Sequence, residues 1–110
     1  MTLDEVQSLV RVQSVQSLSA INDHRITLAN ALVPPKALTV IWRATENGRL
    51  KDEELHVWLV GQEDSSPDSY KIILRDDGKQ YGLASSGFPS DKHLILVGWY
   101  GSLLSAFMAM

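Results

Sequence analysis

The chain has 110 residues, which makes one domain with no room for two cores. Its ten basic and thirteen acidic residues give a net charge of −3, which argues against broad binding to a nucleic-acid backbone. It has no cysteine, which excludes a disulfide framework, a thiolate metal site and a cysteine nucleophile, and fits a cytoplasmic setting.

The acidic start Met1-Thr-Leu-Asp-Glu5 lacks the basic and apolar regions of a secretory leader. Thr2 and Glu5 have the spacing of a capping box, and acid in the first turn suits a helix dipole. Leu3, Val6, Leu9 and Val10 fall on one helical face, so a helix is expected from residue 3 to about 17. Val12, Val15 and Leu18 fall off that stripe and weaken its second half.

Residues 22–25 form a break. Residues 26–33 read as helix or strand; Asn22 is a plausible N-cap and the alanines favour helix. Pro34-Pro35 is expected to end this element either way.

Leu38-Thr-Val-Ile-Trp-Arg-Ala-Thr45 is rich in β-branched and aromatic residues and reads as a strand. Asn47-Gly48 signals a tight hairpin that sets Glu46 opposite Arg49. A second strand follows at 54–60, after an acidic step at 52–54 that suggests a bulge. Residues 62–69 are a loop by composition.

A second hairpin of the same design is expected around Asp77-Gly78, with Asp76 facing Lys79. That register sets Leu74 opposite Tyr81, Ile72 opposite Leu83 and Tyr70 opposite Ser85, an almost wholly apolar face. The other face receives Arg75 opposite Gln80, Ile73 opposite Gly82 and Lys71 opposite Ala84. A slip of one residue would mix the two sets.

Residues 94–110 carry no charge. As one helix, this stretch would hold Gly98 and Gly101 in its interior, at a cost of roughly 1 kcal/mol each, with Ser90 as its cap. The Gly-Trp-Tyr-Gly break instead favours a fifth strand at 93–98, a turn, and a short helix from 102 to about 109. The length is at the lower limit for a membrane span, but Trp99 and Tyr100 lie in its middle and no basic residue follows. A buried segment covering the apolar hairpin face is expected, and no membrane partner.

These elements make an α+β fold: an antiparallel β-meander of four or five strands, with an N-terminal helix and a short C-terminal helix packed on one face.

Chemistry is sparse. His24, His56 and His93 lack the spacing of a helical zinc site, so no metal is expected. No serine sits in a nucleophile elbow, and no glycine pattern makes a phosphate loop, so neither a catalytic residue nor a cofactor is assigned. The acidic clusters at 52–54, 63–64 and 76–77 are explained by turns, solvation and edge-strand protection. Arg43, Trp58, Arg75, Trp99 and Tyr100 remain as candidates for contact with a ligand or partner. Trp42 and Trp58 cannot both be buried on one side of one sheet, and surplus apolar surface in a small protein often ends in an interface. The expectation is a non-catalytic interaction or regulatory module acting through a protein partner or self-association. The alternative is a small-ligand-binding domain or minor enzyme with a pocket between curved sheet and helix.

Overall fold

Thr2 opens the fold as its residue type predicts. In the computed structural model, which describes residues 1–88 and 91–110, its hydroxyl accepts the Glu5 N–H at 3.2 Å, and its own N–H donates to the Glu5 carboxylate at 3.0 Å. The helix so capped, α1, spans Leu3–Ser14 and buries Val6 and Val10. It stops short of residue 17. Val12 and Val15, which had drifted off the apolar stripe, are exposed and offer nothing to extend it.

Residues 26–33 divide between the two expected alternatives. A single turn, α2, spans Leu28–Ala31, and its cap is Thr27 rather than Asn22. Asn22 instead organises the break before it. Its buried side chain accepts the N–H groups of His24 and Ile26, at 3.0 and 3.3 Å, and donates to the Phe107 carbonyl at 3.4 Å. Strand β1 then spans Leu32–Glu46, straight through Pro34-Pro35, which correct the expectation of a stop. Its ladder with the next strand is interrupted between Leu32 and Lys36, so the prolines occupy positions where no N–H is required.

The Asn47-Gly48 turn has both residues left-handed, at φ +52° and +74°, and Glu46 faces Arg49 across it. Strand β2 spans Arg49–Gln62. The acidic step at 52–54 is regular, not a bulge: Asp52, Glu53 and Glu54 face Arg43, Trp42 and Ile41. The bulge lies between Leu59 and Gly61. Strands β3 (Lys71–Arg75) and β4 (Tyr81–Ser85) pair in the expected register, with Leu74 opposite Tyr81, Ile73 opposite Gly82, Ile72 opposite Leu83 and Lys71 opposite Ala84. Their turn is built differently from the first. Only Gly78 is left-handed, at φ +75°, and residues 76–79 loop out between Arg75 and Gln80.

Strand β5 spans Leu94–Trp99, and helix α3 spans Leu103–Ala109. Gly101, at φ +59°, makes the turn between them, and Ser102 caps α3 by accepting the Ser105 N–H at 3.1 Å. Gly98 lies inside the strand, and the turn begins only after Trp99. The alternative cap, Ser90, lies outside the described residues. Among the described residues no helix is long and apolar enough to cross a membrane.

The open antiparallel meander is corrected in one respect: the sheet closes into a barrel in the order β1-β2-β3-β4-β5. Successive strands run antiparallel, so in a closed set of five the first and last must run the same way. Val40 and Ile41 accordingly pair in parallel with Leu94 and Ile95. Closure gives the sheet two covered faces, so an inner core forms beside the outer one where the chain length argued for a single core. Inside lie Val40, Val57, Ile73 and Ala84, with Leu38, Leu55, Leu94, Leu96 and Trp99 against them. Outside, Ile72, Leu74, Tyr81 and Leu83 are covered by Val6, Leu103, Ala106 and Phe107 of the helices. The uncharged tail thus supplies both a barrel strand and the helix that packs on the predicted apolar face.

Candidate functional site

β1 and β2 are far longer than the barrel needs. β1 meets β5 only at Val40 and Ile41, and β2 meets β3 only from Val57 onward. From the Ile41–Glu54 pair outward, β1 and β2 therefore form a two-stranded arm, paired with itself and projecting from the barrel. The molecule measures 44 Å along its longest axis against 21 Å along its shortest.

The arm has two faces, set by alternation. Trp42, Ala44, Glu46, Arg49, Lys51 and Glu53 share the face that continues the barrel interior, and Lys51 bonds Glu46 at 3.0 Å. Trp42 is 46 % exposed there. Ile41, Arg43, Thr45, Leu50, Asp52 and Glu54 share the other face, where Leu50 is 65 % exposed.

Arg43 stands at the root of the arm and is fully engaged. Its Nε and one terminal nitrogen donate to both oxygens of Asp52 at 2.8 Å, and its terminal nitrogens donate to Asp91 at 2.8 and 3.1 Å. Asp91 also accepts the Phe88 N–H at 2.6 Å, and the guanidinium lies 5.5 Å from the Phe88 ring centre. One planar cation so ties β1, β2 and the segment before β5 together. Two bidentate carboxylates fix both the position and the orientation of the fork.

The clamp sets a pH dependence. Hydrogen bonds from Arg43 hold the Asp52 and Asp91 carboxyls below the ordinary aspartate range, with the Phe88 N–H helping at Asp91. A carboxylate whose folded pKa is depressed stabilises the fold above its unfolded pKa, about 4, and loses that contribution as pH falls through the lower folded value. Melting temperature should therefore drop as pH is taken from about 5 toward 2. Arg43→Met should flatten that acid limb; an unchanged slope would show that the clamp does not contribute.

The other candidates lie elsewhere. Trp58 lies on one side of His56 and Asp76, and the Arg75–Trp99 pair lies on the other. The Trp58 indole N–H donates to Asp76 at 3.2 Å, and the Arg75 guanidinium lies 5.6 Å from the Trp99 ring centre. Two shallow depressions flank His56 there, of about 230 and 270 Å³. The His56 ring nitrogen meets the Thr39 hydroxyl at 3.3 Å. Trp99 and Tyr100 point opposite ways: Trp99 packs into the barrel and Tyr100 against the helices. The Tyr100 N–H also donates to the Tyr81 carbonyl at 2.7 Å.

Sequence reading missed the partners that matter. Asp91 is remote from Arg43 in the chain, and nothing local marks it. By alternation Lys71 shares a sheet face with Arg75 and Gln80. It is buried at the end of the barrel, and its ammonium donates to the Asp64 and Ser66 carbonyls and the Ser69 hydroxyl, at 3.1, 2.8 and 2.7 Å. Burial pushes its pKa down, opposed by the nearby acids Asp64 and Glu63. Its place opposite Ala84, on the Ile73 face, was the available signal. The lysine pins the 64–69 loop, whose Pro67 and Asp68 line a cleft of about 480 Å³ with Thr39, Phe88, Asp91 and His93. In this region Ser86 donates to Asp68 at 3.2 Å. No cluster that could hold a metal ion occurs among the described residues.

Comparison with protein-family models, curated proteins and solved structures finds no match to this chain.

Proposed function

We propose that the chain is a non-catalytic interaction module that meets a protein partner through its hairpin arm. One observation carries this reading. The arm projects from the barrel, is held at its root by Arg43, and displays Trp42 at 46 % exposure. Binding energy concentrates in a few aromatic and arginine residues, and an exposed tryptophan on a rigid support is such an anchor. Rigidity lowers the ordering cost of association. Leu50 extends the apolar surface to the opposite face and the tip.

The test is a photo-crosslinking residue placed in turn at positions 42, 50 and 12, the last being exposed on α1. Crosslinks to protein are expected from the arm and not from α1. Trp42→Ser with Leu50→Ser should weaken association on the order of 30-fold, as expected for loss of an anchor worth about 2 kcal/mol. Both sites are exposed, so the melting temperature should change little. A folded double variant with undiminished association would sink the reading.

The cleft beside Asp68 and His93 favours a second reading, small-ligand binding. Its volume of about 480 Å³ falls within the usual range for such sites, and its walls mix Leu38, Phe88 and Leu94 with polar groups. A thermal-shift screen across metabolite classes separates the two readings.

A further inference from the structure

The outer edge of β2 at residues 49–56, along the arm and at its root, pairs with no strand among the described residues, and residues 49–54 are all exposed. The turn determines which backbone groups face outward. Glu46 and Arg49 close a two-residue hairpin, so hydrogen-bonded pairs recur at every second residue from there. Lys51 turns its backbone toward Ala44. Leu50, Asp52 and Glu54 turn theirs to the open edge. Such a row of N–H and C=O groups is a template for another strand.

The charges along that edge are sorted. Arg49 and Lys51 lie toward the tip, and Asp52, Glu53 and Glu54 lie toward the root. Edge charges usually deter pairing. Sorted charges deter a parallel copy, which brings like beside like, and attract an antiparallel one.

We propose that the arm's partner is a second copy of this chain, joined edge to edge by antiparallel β2–β2 pairing centred on Asp52. This rests on the reading of the arm as the contact element. The outward-facing backbone groups of Leu50, Asp52 and Glu54 all find partners in this register. Lys51 of each copy stands opposite Glu53 of the other, in the non-hydrogen-bonded position where side chains come closest. The two Asp52 residues meet at the centre, but each is already held by its own Arg43 at 2.8 Å. Centring the pairing on Lys51 instead would set that lysine against its own copy. The result is a continuous four-stranded ribbon with both Trp42 rings on one face.

Sedimentation equilibrium tests the pairing. The native chain should dimerise reversibly. Lys51→Glu and Glu53→Lys should each weaken the dimer at least tenfold, because each sets like charges opposite one another twice. Mixing the two variants in equal amounts should restore it, because both cross-pairs then become opposite in sign. Restoration also proves that both variants are folded. Three outcomes overturn the pairing: a native chain that stays monomeric, a dimer indifferent to both reversals, or variants that do not rescue each other. The arm reading fails separately. A dimer indifferent to the reversals but dissociated by Trp42→Ser keeps the arm and discards this register. For a monomeric chain, crosslinking at positions 42 and 50 decides whether the arm meets another protein. A dimer indifferent to every arm substitution discards both.

Discussion

Phe107→Ala is expected to destabilise the protein by about 3–5 kcal/mol. A protein of this size is held by roughly 5–15 kcal/mol, so the variant should be largely or wholly unfolded under mild conditions. The ring is completely buried, and it lies in the outer core with Val6, Leu103, Ile72, Leu74, Tyr81 and Leu83. Truncation opens a cavity where α3, α1 and the β3–β4 hairpin meet, and none of these can collapse without leaving the others. Urea unfolding followed by circular dichroism measures the loss. Phe107→Leu, which keeps most of the volume, should lose clearly less. Equal, small losses for both would mean that α3 is only loosely docked.

Gly82→Val should be the second severe substitution. Gly82 sits on the barrel's inner face opposite Trp99. A Cβ there would come within 2.6 Å of the Gly98 carbonyl oxygen and 2.8 Å of the indole ring. The carbonyl belongs to the neighbouring strand and cannot move aside as a flexible side chain would. Overpacking typically costs about 1–3 kcal/mol, and a clash with backbone at this distance belongs at or beyond the upper end. The substitution should also disturb the environment of Trp99. A blue- or red-shifted emission spectrum together with a lower urea midpoint is the expected signature. A native-like midpoint would show that β4 and β5 can separate at this point without loss.

The parts of the fold that were legible in the sequence are those governed by neighbours along the chain. The capping box at Thr2 and Glu5, the Asn47-Gly48 turn, the register of Leu74 with Tyr81, and the break at Gly101 are all local chemistry. The prolines at 34 and 35 were misread because their cost depends on whether a partner strand needs their N–H, and the interruption of pairing there is a property of β2. Closure was equally invisible. Tyr81 and Leu83 announce one apolar face, but nothing near Val40 says that Leu94 will lie beside it. The outer core was therefore anticipated and the inner one was not.

The candidate residues divide in the same way. Arg43 shares a face with Ile41 and Thr45, and His56 with Trp58, as strand alternation alone dictates. Which carboxylates an arginine meets is decided by tertiary structure, and Asp91 reaches Arg43 only through the return of β5 to β1. Lys71 shows the reverse difficulty. A lysine on a sheet face suggests solvent until the loop of 64–69 folds over it and offers carbonyls in place of water. Trp42 was legible as surplus, since it and Trp58 lie on opposite faces, but not as the exposed anchor of an arm.

The parallel seam between β1 and β5 also orders events during synthesis. The arm is a local hairpin and can form soon after residue 62 leaves the ribosome, because its contacts are close in sequence. Val40 and Ile41 must wait until Leu94 and Ile95, more than fifty residues later in the chain, have emerged. Until then Val40, Val57 and Ile73, which the finished barrel hides, stand uncovered on a growing chain. That nascent form, with an open sheet edge and bare aliphatic side chains, is the one most in need of chaperone cover.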